Sequence, residues 1–198
     1  MNPYKANANR FILAAVLLTL LSALASEFLL GRGLIALILA PASIVFVVGG
    51  AWLIFDRYIW KWRIINLLGF SMLPDLNGTW VGNVNRNDEN NPHAFKAVVH
   101  QTYSRISITT SSENARGYSV KSFFLCDENC QYFTLVDYWY CKTRSRTGSF
   151  DEEFHGVSRI DIVRDPDGSL ALENAYFTDR NPATQGRSRL KRQEESSS

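Results

Sequence analysis

The residues best equipped for chemistry lie in the second half of the chain. Tyr132, Phe133, Tyr138, Trp139, Tyr140, Phe150, Phe154, Tyr176 and Phe177 are interleaved with Arg105, Arg144, Arg146, Arg159 and Arg180. Aromatic faces stack on bases, and guanidinium groups grip phosphates through paired hydrogen bonds, so this combination is the equipment for a nucleotide. Core packing draws on the same aromatics. From this set, Tyr138, Tyr140 and Arg105 are candidate ligand contacts.

Other chemistries find less support. His93, His100 and His155 lie far apart with no nucleophile pattern beside them, as expected of surface or hydrogen-bonded core histidines. Cys126-x-x-x-Cys130 with Cys141 and His155 could be arranged around a metal, but the spacing is not that of paired zinc knuckles. Asp151, Glu152 and Glu153 are adjacent, and neighbours on a strand alternate faces, so they cannot share one site. The chain therefore reads as a non-enzymatic binding protein with no catalytic residues, no metal and no cofactor.

These residues need a scaffold, and from Asn77 onward the sequence supplies strands. Eight candidates alternate with turn signals: Gly78 to Asn85, Ala94 to Tyr103, Arg105 to Ser111, Tyr118 to Cys126, Gln131 to Lys142, Ser149 to Arg164 with a bulge near Gly156, Leu170 to Thr178, and Gly186 to Arg192. Asp165-Pro166-Asp167-Gly168 fits a tight turn, and short consecutive connections imply an up-and-down meander. With no helix to cover a sheet, closure into an eight-stranded antiparallel barrel removes exposed edges and leaves an interior able to hold one small ligand. Gly78-Thr79-Trp80 has the Gly-x-Trp form with which lipocalins plug a barrel base, so Trp80 is expected to close this one.

The N-terminal part obeys a different solvent. Phe11 to Leu30 and Leu34 to Phe55 are apolar runs long enough to span a bilayer, separated only by Gly31-Arg32-Gly33, which predicts a transmembrane helical hairpin. Ala23-Leu24-Ala25 could pass for a signal-peptide cleavage site, but the second run follows almost at once. Lys5 and Arg10 before the first span, and Arg57, Lys61 and Arg63 after the second, place both termini in the cytoplasm. Tyr58, Trp60, Lys61, Trp62 and Arg63 mix aromatics with cations as a membrane interface does. The resulting plan is a hairpin over 1–56 (spans about 11–30 and 34–55), an interfacial linker over 57–75, a β-barrel over 76–192 and a disordered tail over 193–198.

Charge excludes one class of partner. From Leu76 to Ser198 there are 15 Lys+Arg against 16 Asp+Glu, so the domain lacks the basic face that DNA or RNA polymers require.

The order of parts carries a resemblance: a two-helix hairpin, an aromatic interface, Leu76-Asn77-Gly78-Thr79-Trp80-Val81-Gly82 opening a β-rich domain, and Ala175-Tyr176-Phe177-Thr178-Asp179-Arg180 before the last strand. It resembles the two-transmembrane, β-strand-rich effectors of bacterial CBASS anti-phage systems. That resemblance implies a lipocalin-like barrel that binds a cyclic dinucleotide, with Tyr176, Thr178 and Arg180 lining or bordering the pocket and Trp80 closing the base. It also implies a protein of the inner membrane that oligomerises when activated and disrupts the bilayer, killing the cell. The competing expectations are a membrane-tethered carrier of a small apolar molecule, which inward arginines disfavour, and a membrane subunit that docks a protein partner, whose barrel interior should be filled.

Overall fold

A computed structural model describes residues 17, 46, 48–67, 73–86, 92–127, 132–144, 150–181 and 183–193. The chain divides into two compact units, Asn2–Leu73 and Pro74–Ser198.

In the first unit, residues 48–57 are helical, and a 3-10 turn (Ile59–Lys61) and a short helix (Arg63–Leu67) follow. Trp60 is buried under the Lys61 ammonium, 5.6 Å from its ring, whereas Tyr58 and Trp62 are exposed. Among the described residues no helix is long and apolar enough to cross a membrane. The expected span 11–30 lies outside the described residues except for Leu17, and so does 34–55 except for Phe46 and 48–55.

The second unit is a closed barrel of eight antiparallel strands in chain order, β1 (Gly78–Arg86), β2 (His93–Gln101), β3 (Ile106–Ser111), β4 (Ala115–Cys126), β5 (Phe133–Arg144), β6 (Phe150–Arg164), β7 (Leu170–Thr178) and β8 (Gln185–Arg192). β8 closes on β1, from Trp80 opposite Arg192 to Arg86 opposite Gly186. Side chains alternate as the pleat requires, so β8 buries Gly186, Ser188 and Leu190 and turns Arg187, Arg189 and Lys191 outward.

The expected strands all occur, with two local differences. β4 starts at Ala115, three residues earlier than expected, because Ser112 N–H donates to Ala115 O at 3.0 Å and tightens the turn. β6 is not bulged at Gly156, which pairs in register with Trp139; the irregularity lies at its start, between the Thr143/Glu152 and Arg144/Phe150 pairs. A second bulge sets Val120 of β4 outside the ladder, between Ser119 and Lys121. Beside it, the Ser119 hydroxyl takes the place of a backbone partner, accepting from Ile108 N–H at 2.8 Å. The β6–β7 turn is tight as expected, with Gly168 at φ +86° and its N–H donating to Asp165 O at 2.8 Å.

One end of the barrel is sealed. Trp80 is fully buried, its indole N–H donates to Leu76 O at 2.8 Å, and the Arg192 guanidinium lies 5.0 Å from its ring centroid while bonding to Asp75 O. The segment before β1 is laced to the end of β2: Gln101 Oε1 accepts from Leu76 N–H at 2.8 Å, and Gln101 Nε2 donates to Pro74 O at 3.0 Å. The β2–β3, β4–β5 and β6–β7 connections also lie at this end. The other four connections mark the opposite, mouth end.

Candidate ligand cavity

Because the strand order is sequential, the inward-facing residues can be followed strand by strand from the sealed end toward the mouth. On β5 they are Leu135, Asp137, Trp139 and Cys141, and on β7 Leu172, Asn174, Tyr176 and Thr178. On β6 they are Ile160, Ser158, Gly156 and Phe154, and on β8 Leu190, Ser188 and Gly186. The same order recurs on these four strands: an apolar layer, then a polar one, then large rings or the glycines that make room for them.

The interior encloses a cavity that opens at the mouth; the space not filled by protein atoms, open solvent at the mouth included, is about 980 Å³. Apolar side chains predominate in its wall, with a few polar groups set among them.

Two glycines shape the aromatic layer. A Cβ on Gly156 would stand 2.4 Å from Trp139 Cζ2, and one on Gly186 would stand 2.7 Å from Tyr176 Cε1. Each ring thus lies against a neighbouring strand where no side chain obstructs it. Trp139 makes edge contacts with Phe154 (centroids 6.0 Å apart) and Tyr176 (6.3 Å), and its indole N–H donates to Ser158 Oγ at 2.8 Å. That bond fixes the ring plane.

Cations border this layer toward the mouth. Arg180 places its guanidinium 4.8 Å from the Phe154 ring centroid, and Arg86, the last residue of β1, joins it in the cavity wall. Thr178 is buried at the β7–β8 turn, where its hydroxyl meets Thr184 Oγ1 at 2.8 Å and accepts from Thr184 N–H at 3.1 Å. It both lines the cavity and clasps the hairpin that carries Arg180.

Below the rings lies a polar band. Asp137 is almost fully buried, and Ser122 Oγ donates to its Oδ1 at 2.7 Å. Burial pushes its pKa up to about 6, against the opposing effect of the hydrogen bonds from Ser122 and Ser119. Asn174 gives its Nδ2 to Ser188 Oγ at 3.3 Å, while its buried Oδ1 has no hydrogen-bond partner among the described residues.

The structure brings Tyr176, Thr178 and Arg180 into the cavity wall and leaves Tyr138, Tyr140 and Arg105 out of it. Tyr138 and Tyr140 alternate with the inward Asp137, Trp139 and Cys141, so they face outward; Tyr138 stacks on His155 (5.8 Å) and Tyr140 on Tyr118 (5.3 Å). Trp139, between them, is the inward ring. Arg105 sits in the β2–β3 connection at the sealed end, where its backbone carbonyl accepts from Thr102 N–H at 2.8 Å. Arg86, Asp137 and Asn174 were not expected at the site. Counting strand residues from Trp80 would have located Arg86, since Trp80, Gly82, Val84 and Arg86 share a face.

Among the described residues no three His, Cys, Asp or Glu side chains are placed to hold a metal. Cys126 pairs with Phe133 near the sealed end and Cys141 with Gly117 near the mouth, while Cys130 lies outside the described residues.

Residues 71–192 match the family model described as Cap15, cyclic dinucleotide receptor domain. The chain belongs to the Cap15 cyclic dinucleotide receptor family. The match spans the whole barrel, and the resemblance to CBASS effectors is borne out there. No curated protein matches the chain.

Proposed function

We propose that the barrel is the sensor of a membrane-anchored anti-phage effector, and that it holds a cyclic dinucleotide with its bases among Trp139, Phe154 and Tyr176 and its phosphates toward Arg86 and Arg180. The observation that carries this reading is the ordering of the wall, with rings in mid-barrel and guanidinium groups above them. Stacking and charge-assisted hydrogen bonds to phosphate are the two interactions such a ligand needs. The polar band beneath the rings counts against a carrier of an apolar molecule, since each buried polar group would lose hydrogen bonds to such cargo. The cavity likewise differs from the filled barrel expected of a mere docking subunit.

In this reading the domain is a receptor rather than a catalyst, both termini are cytoplasmic, and 11–30 and 34–55 cross the inner membrane. Occupancy of the barrel drives assembly of several copies, and the assembled spans disrupt the bilayer. The test is dye release from vesicles containing the full chain. Release on adding a cyclic dinucleotide, abolished by deleting 11–55 while ligand binding persists, is the expected result. Release that survives the deletion refutes the membrane mechanism.

A further inference from the structure

The interior is polarised along the barrel axis. Its cations, Arg86 and Arg180, lie toward the mouth, and its deep polar atoms include two acceptors, the Asp137 carboxyl and Asn174 Oδ1. Asp137 and Asn174 stand at the same level, one step above Leu135 and Leu172 and one below Trp139 and Tyr176. Asp137 is a buried carboxyl that accepts from the hydroxyls of Ser122 and Ser119 and has no cation beside it among the described residues, and Asn174 Oδ1 is a buried acceptor with no hydrogen-bond partner among them. A buried carboxylate without a counter-charge and an unpaired buried acceptor raise the free energy of the empty barrel, and such groups concentrate at binding sites.

We propose that Asp137 is the base-reading residue of the cavity and selects a guanine, accepting hydrogen bonds from the adjacent N1–H and N2–H of its Watson–Crick edge, with Asn174 as a further acceptor at the same depth. This rests on the cyclic dinucleotide reading above. A carboxylate offers acceptors only, and guanine carries two neighbouring donors on that edge. Adenine and cytosine present one amino donor beside a ring nitrogen whose lone pair would face the carboxylate, and uracil presents one N–H between two carbonyl oxygens. With its pKa near 6, the carboxyl is mostly ionised at neutral pH and acts as an acceptor. A base stacked among the rings of the layer above extends its edge toward this floor, while its phosphates remain near the arginines.

The experiment is calorimetric titration of the full chain in detergent with cyclic di-GMP, cyclic di-IMP, cyclic di-AMP and cyclic di-UMP, repeated on Asp137→Asn. Wild type is expected to bind cyclic di-GMP roughly tenfold or more tighter than the adenine and uracil ligands, the discrimination a bidentate pair supplies. Cyclic di-IMP lacks only the N2 amino group, and its binding should be weakened several-fold without any change to the protein. Asp137→Asn should fold normally and lose the preference, because an amide offers one acceptor and one donor. Equal or tighter binding of cyclic di-AMP by wild type, or an unchanged preference in Asp137→Asn, overturns the assignment and leaves the cyclic dinucleotide reading intact. Failure of all four ligands to bind overturns both.

Discussion

Trp139 lies against Gly156 of the adjacent strand, where a methyl group would stand 2.4 Å from its ring. The largest ring in the cavity wall is therefore held by the absence of a side chain. Gly156→Ala should push the indole into the cavity and break its bond to Ser158. Overpacking of this kind costs about 1–3 kcal/mol. A lowered Tm, a shifted tryptophan emission and ligand affinity weakened at least tenfold are expected together; unchanged affinity would show that the ring position is irrelevant to binding.

The sealed end makes a separate prediction. Trp80 is buried between Arg192 and the segment before β1, so Trp80→Ala removes a large core side chain and its hydrogen bond to Leu76 O. Losses of about 3–5 kcal/mol follow from such truncations. Thermal melting should show a drop of ten degrees or more for Trp80→Ala and a clearly smaller one for Trp80→Phe, which keeps most of the volume. Equal effects would mean that filling the base contributes little.

Two carboxyls should respond to pH in opposite directions. Asp137 has a folded pKa of about 6 against 3.8 when unfolded, so from about pH 4 to about pH 6 the unfolded chain releases its proton first and the folded state loses ground. Above that window the penalty is about 2–3 kcal/mol. Asp137→Asn should raise the Tm of the ligand-free protein by several degrees at pH 8 and change it little at pH 4. Asp165 is the reverse case. A hydrogen bond from Lys191 (3.0 Å), with Arg189 beside it, holds its carboxyl below the usual range. That stability is present above the unfolded value of 3.8 and is lost as pH falls through the lower folded value. Asp165→Asn should lower the Tm at pH 7 and lose its effect in strong acid. Melting curves of both variants across pH check the two signs.

The barrel was legible in the sequence because strand alternation and turn residues are local signals. The strands were found nearly at their true ends, and the Gly78-Thr79-Trp80 signature placed the closing tryptophan. Which residues face inward was harder to read. Tyr138, Trp139 and Tyr140 are consecutive aromatics, so composition does not fix the phase of β5; the buried neighbours Leu135, Asp137 and Cys141 do. On β4 the bulge at Val120 breaks the alternation between Gly117 and Phe124, which defeats a simple count. Arg105 lies away from the cavity wall for a topological reason: in a meander whose first strand begins at the sealed end, the second connection returns there. Asp137 and Asn174 were missed because a polar residue inside a strand looks the same whether it faces solvent or a cavity.

Isothermal titration of the full chain with cyclic dinucleotides, set against an Arg86→Ala/Arg180→Ala pair and a Tyr138→Ala control, tests the central claim most directly. Saturable one-to-one binding by wild type and by Tyr138→Ala, weakened at least a hundredfold in the arginine pair, is the predicted result. Binding that survives loss of both arginines but disappears with Tyr138 would place the ligand outside the barrel and contradict the account.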